Sequence, residues 1–574
     1  MNNRFVVSLI IVALVFSGIS GYSRNGMAIR SAGNNLNWDN VSSWIILQTG
    51  ETNRVTPQAD DTILIAHQIL LTHDFELSSG RLVIETSGSL ESASSSLILS
   101  NNAEAQCLGS LAVLNFSLLS HSSFILASTG KVTVNGSFQV DEEGNFVARN
   151  QQGVCGSLIT NGPIMGEISE EVSLQANVNM LVASPVNGAE SGVFLNMYLR
   201  NYNEQNSGWG EYIVPTTVPM NPMKGYEVLS LYDDIRVFSG TPTSGEQRID
   251  ITATGNGWNL LGNPYPSSLN WNMLGSGNDA GQYPQGVNTI YYKESESGNY
   301  SIFCPSDEPI SINSGSPVIK PMQGFFIKAD RSSNISVTNQ MRTHSTGNEL
   351  VAQLPTSAIG FRVEGNNYSD EAVIRFNPDA SNNFDIAYDA YKIEGTETAP
   401  EIFFPIEDGS KLALNTLSDI SSGLVVPLQV TTPYAGTTVL RVKGAPEFQY
   451  RYPVYLEDMN TGVFIDLRSD SVYSFESESD NTTHFFRLHF SSPGGIPDSE
   501  INTIRVLSGE SSIIIMDSEN RSGNVDVFSI DGKRVCSLEG VSLQTLRFPV
   551  SSGTVYIVRI TTDGKVETTK LFCR

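Results

Sequence analysis

Apolar residues recur at every second position in short runs along this chain, and Gly, Ser and Asn separate the runs. Alternation of this kind indicates β-strands with one buried face. Between residues 36 and 165 the runs return at intervals of about 20 residues, as in SFILASTGKVTVNGSFQV (123–140). The pattern predicts the stacked coils of a β-solenoid over residues 21–168, with a plain β-sandwich as the alternative.

The next region, 169–348, contains a duplication in which three segments recur in the same order. The matched pairs are LVASPV (181–186) with LLGNPY (260–265), YLRNYNEQNSGWGEY (198–212) with IYYKESESGNYSIF (290–303), and NPMKGYEVL (221–229) with KPMQGFFIK (320–328). Each copy predicts a strand that ends at Ser-Pro or Asn-Pro, because Pro cannot donate to a sheet. We assign Gly225 and Gly324, which follow Pro-Met, to a turn before the next strand. The region is predicted to be a duplicated, β-sandwich-like module.

Three further segments complete the chain. Alternation over 349–490 predicts a β-sandwich, and the Pro- and Gly-rich stretch 491–500 predicts a linker. Residues 501–574 contain about seven short strands, with hairpin turns predicted at Asp531-Gly532 and Asp563-Gly564. The whole chain is therefore predicted to be all-β and divided into several domains, as its 574 residues suggest.

Charge separates the C-terminal segment from the rest. The net charge is −26, but residues 501–574 hold nine Lys and Arg against eight Asp and Glu, which leaves −27 for residues 1–500. So acidic a surface repels nucleic acid and anionic lipid, and we expect neither as a partner.

The N-terminus has the composition of a secretory signal peptide. Arg4 precedes the apolar run FVVSLIIVALVF (5–16), which is too short for an ordinary membrane span, and small residues follow. We predict a signal peptide over 1–20 with cleavage near Ser20 or Gly21. Since no later segment approaches 18 apolar residues, no transmembrane segment is predicted in the mature chain.

The sequence contains no recognised catalytic or metal-binding pattern. The five cysteines are widely spread, no HExxH, GxSxG or Walker pattern occurs, and the six histidines form no ligand set. No catalytic residue, metal site or cofactor is therefore predicted. Calcium is the one ion with candidate segments, DEEGN (141–145) and DSENRSGNVD (517–526), although neither matches the EF-hand loop. Cys536 and Cys573 share one small domain and could pair in an oxidising compartment, but free thiols are favoured.

Aromatic residues of the duplicated module are the candidate ligand-binding residues. Flat rings beside amides and carboxylates can stack on sugars, and we select Trp209, Tyr265 and Trp271. The first copy has no counterpart of Tyr265 or Trp271. The alternative is that most of these rings form the core of the module.

The C-terminal segment resembles the type A sorting domain of proteins exported by the type IX secretion system of Gram-negative bacteria. The resemblance rests on VDVFSIDGKRV (525–535), SSGTVYIVRI (551–560) and the closing Lys-Leu-Phe. The residues that match the motif are Asp531, Gly532, Lys533, Gly553, Tyr556 and Lys570. This chain departs from the pattern by Thr554-Val555 between Gly553 and Tyr556 and by its Cys573-Arg574 ending, which leaves cleavage and attachment open.

The body of the chain is also similar to such cargo. The similar segments are GWNLLGNPYP (257–266), IKPMQGFFIKA (319–329) and NFDIAYDAYKIEG (383–395), so the resemblance covers most of 170–574. Residues 37–65, with Trp38 and Trp44, resemble the capping segment of extracellular parallel β-helix domains. The resemblance implies passage to the periplasm, recognition of 501–574 by the outer-membrane translocon, and display on the cell surface, attached to surface polysaccharide or released.

These observations predict a non-catalytic protein, secreted or displayed on the surface of a Gram-negative bacterium, that binds a glycan or protein ligand in adhesion. Two alternatives remain: a secreted polysaccharide-degrading enzyme whose C-terminal half serves export, and a structural surface-layer protein. A cleft with converging carboxylates would favour the enzyme. Self-assembly would favour the surface-layer protein.

Overall fold

The computed structural model describes residues 26–47, 55–274, 289–293, 298–421, 423–450, 452–478, 481–491, 504–509, 512–517, 521–544, 546–562 and 565–573. The predicted signal peptide with Ser20 and Gly21, residues 492–500 of the predicted linker, and Asp563-Gly564 lie outside these ranges. The described chain consists of strands and short 3-10 helices, so the all-β prediction is confirmed. No helix among the described residues is long and apolar enough to cross a membrane. The 3-10 helices are η1 (Val41–Ser43), η2 (Ser191–Phe194), η3 (Trp271–Met273), η4 (Asn339–Met341) and η5 (Asn348–Leu350).

The N-terminal region is a solenoid of three parallel sheets. Its strands are β1 (Ala28–Ser31), β2 (Leu36–Asn37), β3 (Trp44–Ile46), β4 (Thr62–Ile65), β5 (Gln68–Leu70), β6 (Phe75–Ser78), β7 (Arg81–Ile84), β8 (Ser89–Glu91), β9 (Leu97–Ser100), β10 (Glu104–Cys107), β11 (Ser110–Val113), β12 (Phe116–Leu118), β13 (Ser123–Leu126), β14 (Lys131–Val134), β15 (Phe138–Val140), β16 (Asn145–Ala148), β17 (Asn150–Gln151), β18 (Val154–Cys155), β19 (Ser157–Thr160), β20 (Ile164–Met165) and β21 (Ile168–Leu174). The sheets run β1-β4-β7-β10-β13-β16-β21, β2-β5-β8-β11-β14-β19 and β6-β9-β12-β15-β20. The predicted solenoid is therefore present.

Stacked rungs place like residues above one another inside the solenoid. Phe124 of β13 pairs in register with Phe146 of β16, and their rings stack at 5.2 Å between centroids. The first rung is closed by β3, which runs antiparallel to β1. There the indoles of Trp38 and Trp44 are buried and meet edge to face at 5.2 Å. These two aromatic rings thus exclude water from the N-terminal end of the solenoid.

The duplicated module follows. Its strands are β22 (Asn179–Val182), β23 (Val186–Asn187), β24 (Tyr198–Asn203), β25 (Gly208–Tyr212), β26 (Tyr226–Leu229), β27 (Asp234–Pro242), β28 (Gln247–Ile251), β29 (Trp258–Gly262), β30 (Ser268–Asn270), β31 (Ile290–Lys293), β32 (Tyr300–Cys304), β33 (Ile310–Ile312), β34 (Val318–Ile319), β35 (Gly324–Lys328), β36 (Ser333–Val337) and β37 (Arg342–Thr343). We call 179–229 the first repeat and 258–328 the second repeat. Their sheets have the same strand order, β22-β26-β24-β25 and β29-β35-β31-β32, and the second adds β33.

The solenoid and the module share one sheet. Strand β27 of the module runs antiparallel along the whole of β21 and pairs with β23 as well. The inner side of the first repeat, including Leu199 and Tyr226, belongs to the same hydrophobic core as the solenoid. The predicted division at residue 168 therefore falls at the first residue of a shared strand.

The two repeats meet across an approximate twofold relation. The amide of Ala183 donates to the carbonyl of Met322 at 2.9 Å, and the matched amide of Gly262 donates to the carbonyl of Met223 at 2.8 Å. A Cβ on Gly262 would lie 2.1 Å from the Cβ of Ala183. This junction therefore has room for one methyl group at the matched pair of positions, and the first repeat supplies it.

In the turns before β26 and β35, the residues with a positive φ angle are the methionines and not the predicted glycines. Positive φ angles fall on Met223 (62°) and Met322 (59°), whereas Gly225 and Gly324 are not among the positive-φ residues. The glycines are needed for close approach instead, since a Cβ on Gly225 would lie 2.3 Å from the carbonyl oxygen of Leu261. Burial of both methionine side chains accompanies the left-handed backbone conformation.

A β-sandwich covers residues 358–489. Its strands are β38 (Ala358–Gly365), β39 (Tyr368–Phe376), β40 (Ala390–Tyr391), β41 (Glu401–Pro405), β42 (Lys411–Leu417), β43 (Val425–Thr432), β44 (Gly436–Lys443), β45 (Tyr455–Asp458), β46 (Val463–Asp466), β47 (Val472–Ser477) and β48 (Thr482–His489). The strand order is β46-β45-β48-β43-β41-β42-β39-β38-β44-β47, with β40 beside β42. Phe361 and Ile374 from one side share a core with Leu428 and Phe486 from the other.

The described part of the C-terminal segment has seven strands and its own core. They are β49 (Ile504–Gly509), β50 (Ser512–Asp517), β51 (Ser522–Ser529), β52 (Arg534–Ser542), β53 (Leu546–Pro549), β54 (Thr554–Thr562) and β55 (Lys565–Cys573), in sheets β49-β50-β53 and β52-β51-β54-β55. Cys536 and Cys573 are free thiols, as are the other three cysteines.

The sorting-motif residues occupy the ends and one edge of the second of these sheets. Gly532 has φ of 82° in the hairpin between β51 and β52, where Asp531 accepts a hydrogen bond from the Ser529 hydroxyl and Lys533 follows. Gly553 has φ of 71°, and its amide donates to the carbonyl of Cys573. The buried Tyr556 hydroxyl accepts from the Ser551 amide at 3.0 Å. Lys570 is exposed on β55, opposite Ile557.

Candidate ligand-binding face of the first repeat

Two of the three selected aromatics are buried. Tyr265 is fully enclosed, and its hydroxyl donates to the carbonyls of Gly245 at 2.6 Å and Val337 at 3.0 Å. Trp271 is 1% exposed and packs edge to face on Phe325 at 5.1 Å. Neither ring can reach an external ligand, so the selection of these two residues was wrong. The core of the second repeat accommodates them because backbone carbonyls satisfy the one polar group of Tyr265.

Trp209 lies on an exposed hairpin. Strands β24 and β25 form the outer half of the first-repeat sheet, and β25 is its edge strand. The pairing register shifts between Arg200 and Tyr202, which marks a β-bulge. The bulge brings Trp209 and Tyr212, three residues apart, to the same side of the hairpin, because the extra residue breaks the strict alternation of sides.

Four side chains form what we call the aromatic face: Tyr198, Arg200, Trp209 and Tyr212. Tyr198 and Tyr212 are 46% and 49% exposed, and their ring centroids are 5.4 Å apart. The Arg200 guanidinium lies 4.7 Å from the ring centroid of Trp209 and 5.5 Å from that of Tyr212. A cation stacked between rings holds them in fixed positions before a ligand arrives.

The charge of Arg200 is paired with the carboxylate of Glu227 on the neighbouring strand β26. Its Nε donates to the buried carboxylate of Glu227 at 2.5 Å, and the Arg200 side chain remains 24% exposed. A buried carboxylate requires such a partner, so the pair fixes the guanidinium as well as neutralising it. The aromatic face therefore presents flat apolar rings and N–H donors of a guanidinium that is already paired with a carboxylate.

The equivalent positions of the second repeat are covered by other parts of the protein. By strand register, Arg200, Trp209 and Tyr212 correspond to Tyr291, Tyr300 and Ile302. These three residues of the second repeat are at most 5% exposed, in a core shared with Ala358, Val373 and Leu414 of the β-sandwich. The same side of the sheet is thus buried at these positions in the second repeat, whereas the first repeat leaves Tyr198 and Tyr212 about half exposed.

Glu204, in the turn of the exposed hairpin, anchors it to the segment that leads into β29 of the second repeat. Its carboxylate accepts hydrogen bonds from the amides of Gly255 at 2.7 Å and Gly257 at 2.8 Å and from both the amide and hydroxyl of Thr254. Burial alone would raise the pKa of Glu204, but these hydrogen bonds outweigh it and lower the pKa to about 2. The hairpin that carries the exposed rings is therefore held in place by the hydrogen bonds of Glu204.

In both candidate calcium segments a described carboxylate has a partner within the protein, and residues 518–520 lie outside the described ranges. No group of three or more His, Cys, Asp or Glu side chains that could hold a metal occurs within the described ranges. In 517–526, the carboxylate of Asp517 is already paired with Arg521, whose Nε donates at 3.0 Å. In 141–145, Asp141 accepts from the amide side chain of Gln139 at 2.7 Å.

Tyr198, Arg200, Tyr212 and Glu227 were missed by the selection. Their signal lies in the duplication itself: Arg200 and Glu227 stand where the second repeat has Tyr291 and Phe326. A polar pair that replaces two apolar residues at matched positions indicates that one copy is exposed where the other is buried.

The fold and this face define an all-β protein with an exposed aromatic surface. A family model described as a domain of unknown function, DUF8693, matches residues 31–490, and the chain belongs to this family. No curated protein matches the chain. Among solved structures, a β-glucuronidase from Faecalibacterium prausnitzii is similar over 27% of this chain and 38% of its own length, at 10% identity. Its TM-score of 0.11 is too low for an argument from it.

Proposed function

We propose that this protein is an exported adhesion protein that binds carbohydrate through the aromatic face of the first repeat. The observation that carries the proposal is the pair of half-exposed rings, Tyr198 and Tyr212, fixed beside Arg200, at positions whose counterparts in the second repeat lie under the β-sandwich. Rings of this kind stack on the apolar faces of sugars, while guanidinium and phenol groups donate to hydroxyls. Because the charge of Arg200 is already paired with Glu227, the face favours a neutral glycan over a charged one.

A glycan array probed with the mature chain, residues 21–574, tests the proposal. We expect binding to neutral glycans that persists at high salt, because stacking is not screened as ion pairs are. Binding to protein ligands with a blank array would contradict the carbohydrate assignment.

We also propose that residues 501–574 direct export through the type IX translocon, with surface display or release as the outcome. The support is the sorting motif together with the separate core of this segment, which the DUF8693 match does not include. Deletion of 501–574 in the native host should leave the protein in the periplasm while the signal peptide is still removed. Surface display of the truncated chain would contradict this route.

A further inference from the structure

A cleft opens at the other end of the same side of the module. It has a volume of about 430 Å³ and lies between the end of β35 and the 384–391 segment that leads into the β-sandwich. Its walls include Lys328, Asp330, Phe384, Asp385, Ile386 and Tyr391. The rings of Phe384 and Tyr391 lie 4.2 Å apart and are both partly exposed. The cleft thus repeats the main feature of the aromatic face, a pair of accessible rings beside a cation.

Aromatic rings connect the two sites without a break. Trp209 of the aromatic face lies 5.8 Å from Phe326, Phe326 lies 6.2 Å from Trp258, and Trp258 lies 6.1 Å from Tyr391 in the cleft. Trp209 and Trp258 are partly exposed, whereas Phe326 is covered. The row therefore consists of accessible rings on either side of one buried ring, Phe326.

Polar groups follow the same line at the surface. The Tyr202 hydroxyl accepts from the Asn256 side chain at 2.6 Å, and the Lys328 ammonium donates to the Asn256 carbonyl. Lys328 also lies 5.1 Å from the Trp258 ring centroid and 4.8 Å from that of Tyr391. Rings with donors and acceptors between them suit a chain of sugars, each with an apolar face and a rim of hydroxyls.

The charges along the line favour a neutral chain. Arg200 is paired with Glu227, and the cleft sets Asp330 and Asp385 beside Lys328. With a protein net charge of −26, no excess of positive charge is available for an anionic polymer.

We infer that the aromatic face and the cleft are two ends of one binding surface, occupied by an extended neutral polysaccharide chain that reaches from Tyr198 and Tyr212 to Phe384 and Tyr391. This inference rests on the proposed carbohydrate binding and adds the length and direction of the ligand. Each further sugar that reaches another ring adds contacts without a new association cost, so affinity rises with chain length until the cleft is filled.

Tryptophan fluorescence of the full mature chain tests the inference. The probes are ladders of neutral oligosaccharides from starch, cellulose, xylan and mannan, from single sugars to long chains. Trp209→Phe and Trp258→Phe variants each retain one reporter on the binding surface, while Trp38, Trp44 and Trp271 are buried and give a constant background. We expect short members of the binding ladder to change Trp209 emission alone and long members to change Trp258 emission as well.

Phe384→Ala supplies the second measurement. It should weaken binding of long chains by roughly tenfold or more and leave short chains unaffected, whereas Phe485→Ala, at an exposed position elsewhere on the β-sandwich, should change neither. If long chains leave Trp258 emission unchanged and Phe384→Ala binds like the wild type, the extended surface is refuted while carbohydrate binding at the first repeat stands. If no ladder binds, or if binding survives Tyr198→Ala/Tyr212→Ala, the proposed function fails as well.

Discussion

The two repeats of the module have the same strand order but differ in how far the same side of the sheet is buried. The β-sandwich covers the second repeat, where Tyr291, Tyr300 and Ile302 fill a shared core. Nothing among the described residues covers the equivalent side of the first repeat to that extent, and Tyr198 and Tyr212 stay about half exposed. Two copies of one sheet therefore differ in how far the same side is removed from water.

The difference lies in side chains at matched positions, not in topology. The second repeat uses Phe326 where the first uses Glu227, and Tyr291 where the first uses Arg200. A covered sheet is stabilised by the apolar area that it removes from water. An exposed sheet lacks this stabilisation and needs other contacts to hold its aromatic rings in position. The Arg200–Glu227 pair does this by stacking and hydrogen bonding.

The largest expected effect comes from truncating matched residues in each repeat. Ile302→Ala should destabilise the second repeat by about 2–5 kcal/mol, because it leaves a cavity in a closed core. Tyr212→Ala, at the corresponding position of the first repeat, should cost no more than about 0.5 kcal/mol. Hydrogen exchange of amides in β31–β32 and β24–β25 measures each effect where it occurs. Equal losses of protection would mean that the two sides do not differ in burial.

A swap across the junction between the repeats has the next largest effect. Gly262→Ala should cost about 1–3 kcal/mol, since its new methyl group would overlap that of Ala183. Adding Ala183→Gly should recover most of the loss, because one methyl group again occupies the site. Thermal unfolding of both single variants and the double variant measures the coupling. Additive losses would contradict the twofold relation at this point.

The smallest effect concerns Glu204, which binds the exposed hairpin to the segment that leads into β29 of the second repeat. Glu204→Gln should cost roughly 1–2 kcal/mol at neutral pH, because a charged acceptor of several hydrogen bonds is lost. The folded pKa of about 2 lies below the ordinary value of 4.5, so the unfolded chain takes up the proton first as pH falls. The advantage of the wild type is therefore full above pH 4.5 and disappears between about 4.5 and 2.

Unfolding of the wild type and Glu204→Gln across this pH range is the measurement. A difference in stability that stays constant down to pH 2 would show that the carboxylate does not depend on these hydrogen bonds.

Much of the fold could be predicted because its signals are local and repeated. Alternation at a spacing of about 20 residues revealed the solenoid, and three matched segments revealed the duplication, since each strand carries its own pattern. The Asp531-Gly532 hairpin was equally readable, because a positive φ angle at Gly532 is what the turn requires.

The site was harder to predict because exposure is set by distant parts of the chain. Tyr265 and Trp271 follow a turn at Asn263-Pro264, which is a pattern typical of surface residues. In the structure this turn is buried and is held in the interior by Asn263. Its side-chain amide donates to the carbonyls of Ser267 and Ile319. Which repeat is covered depends on residues 358–414, far along the sequence from Tyr212. No local pattern contains that information.

The central claim is that the exposed aromatic face binds carbohydrate, and the affinity of Tyr198→Ala/Tyr212→Ala tests it most directly. Calorimetric titration should use the neutral glycan that binds the wild type most tightly on the array, with Tyr232→Ala, at a 77% exposed tyrosine outside the face, as the matched control. Loss of two stacking rings should weaken binding roughly 30-fold or more, and the control should bind like the wild type. An unchanged Kd in the double variant, with its fold intact by hydrogen exchange, would contradict the claim.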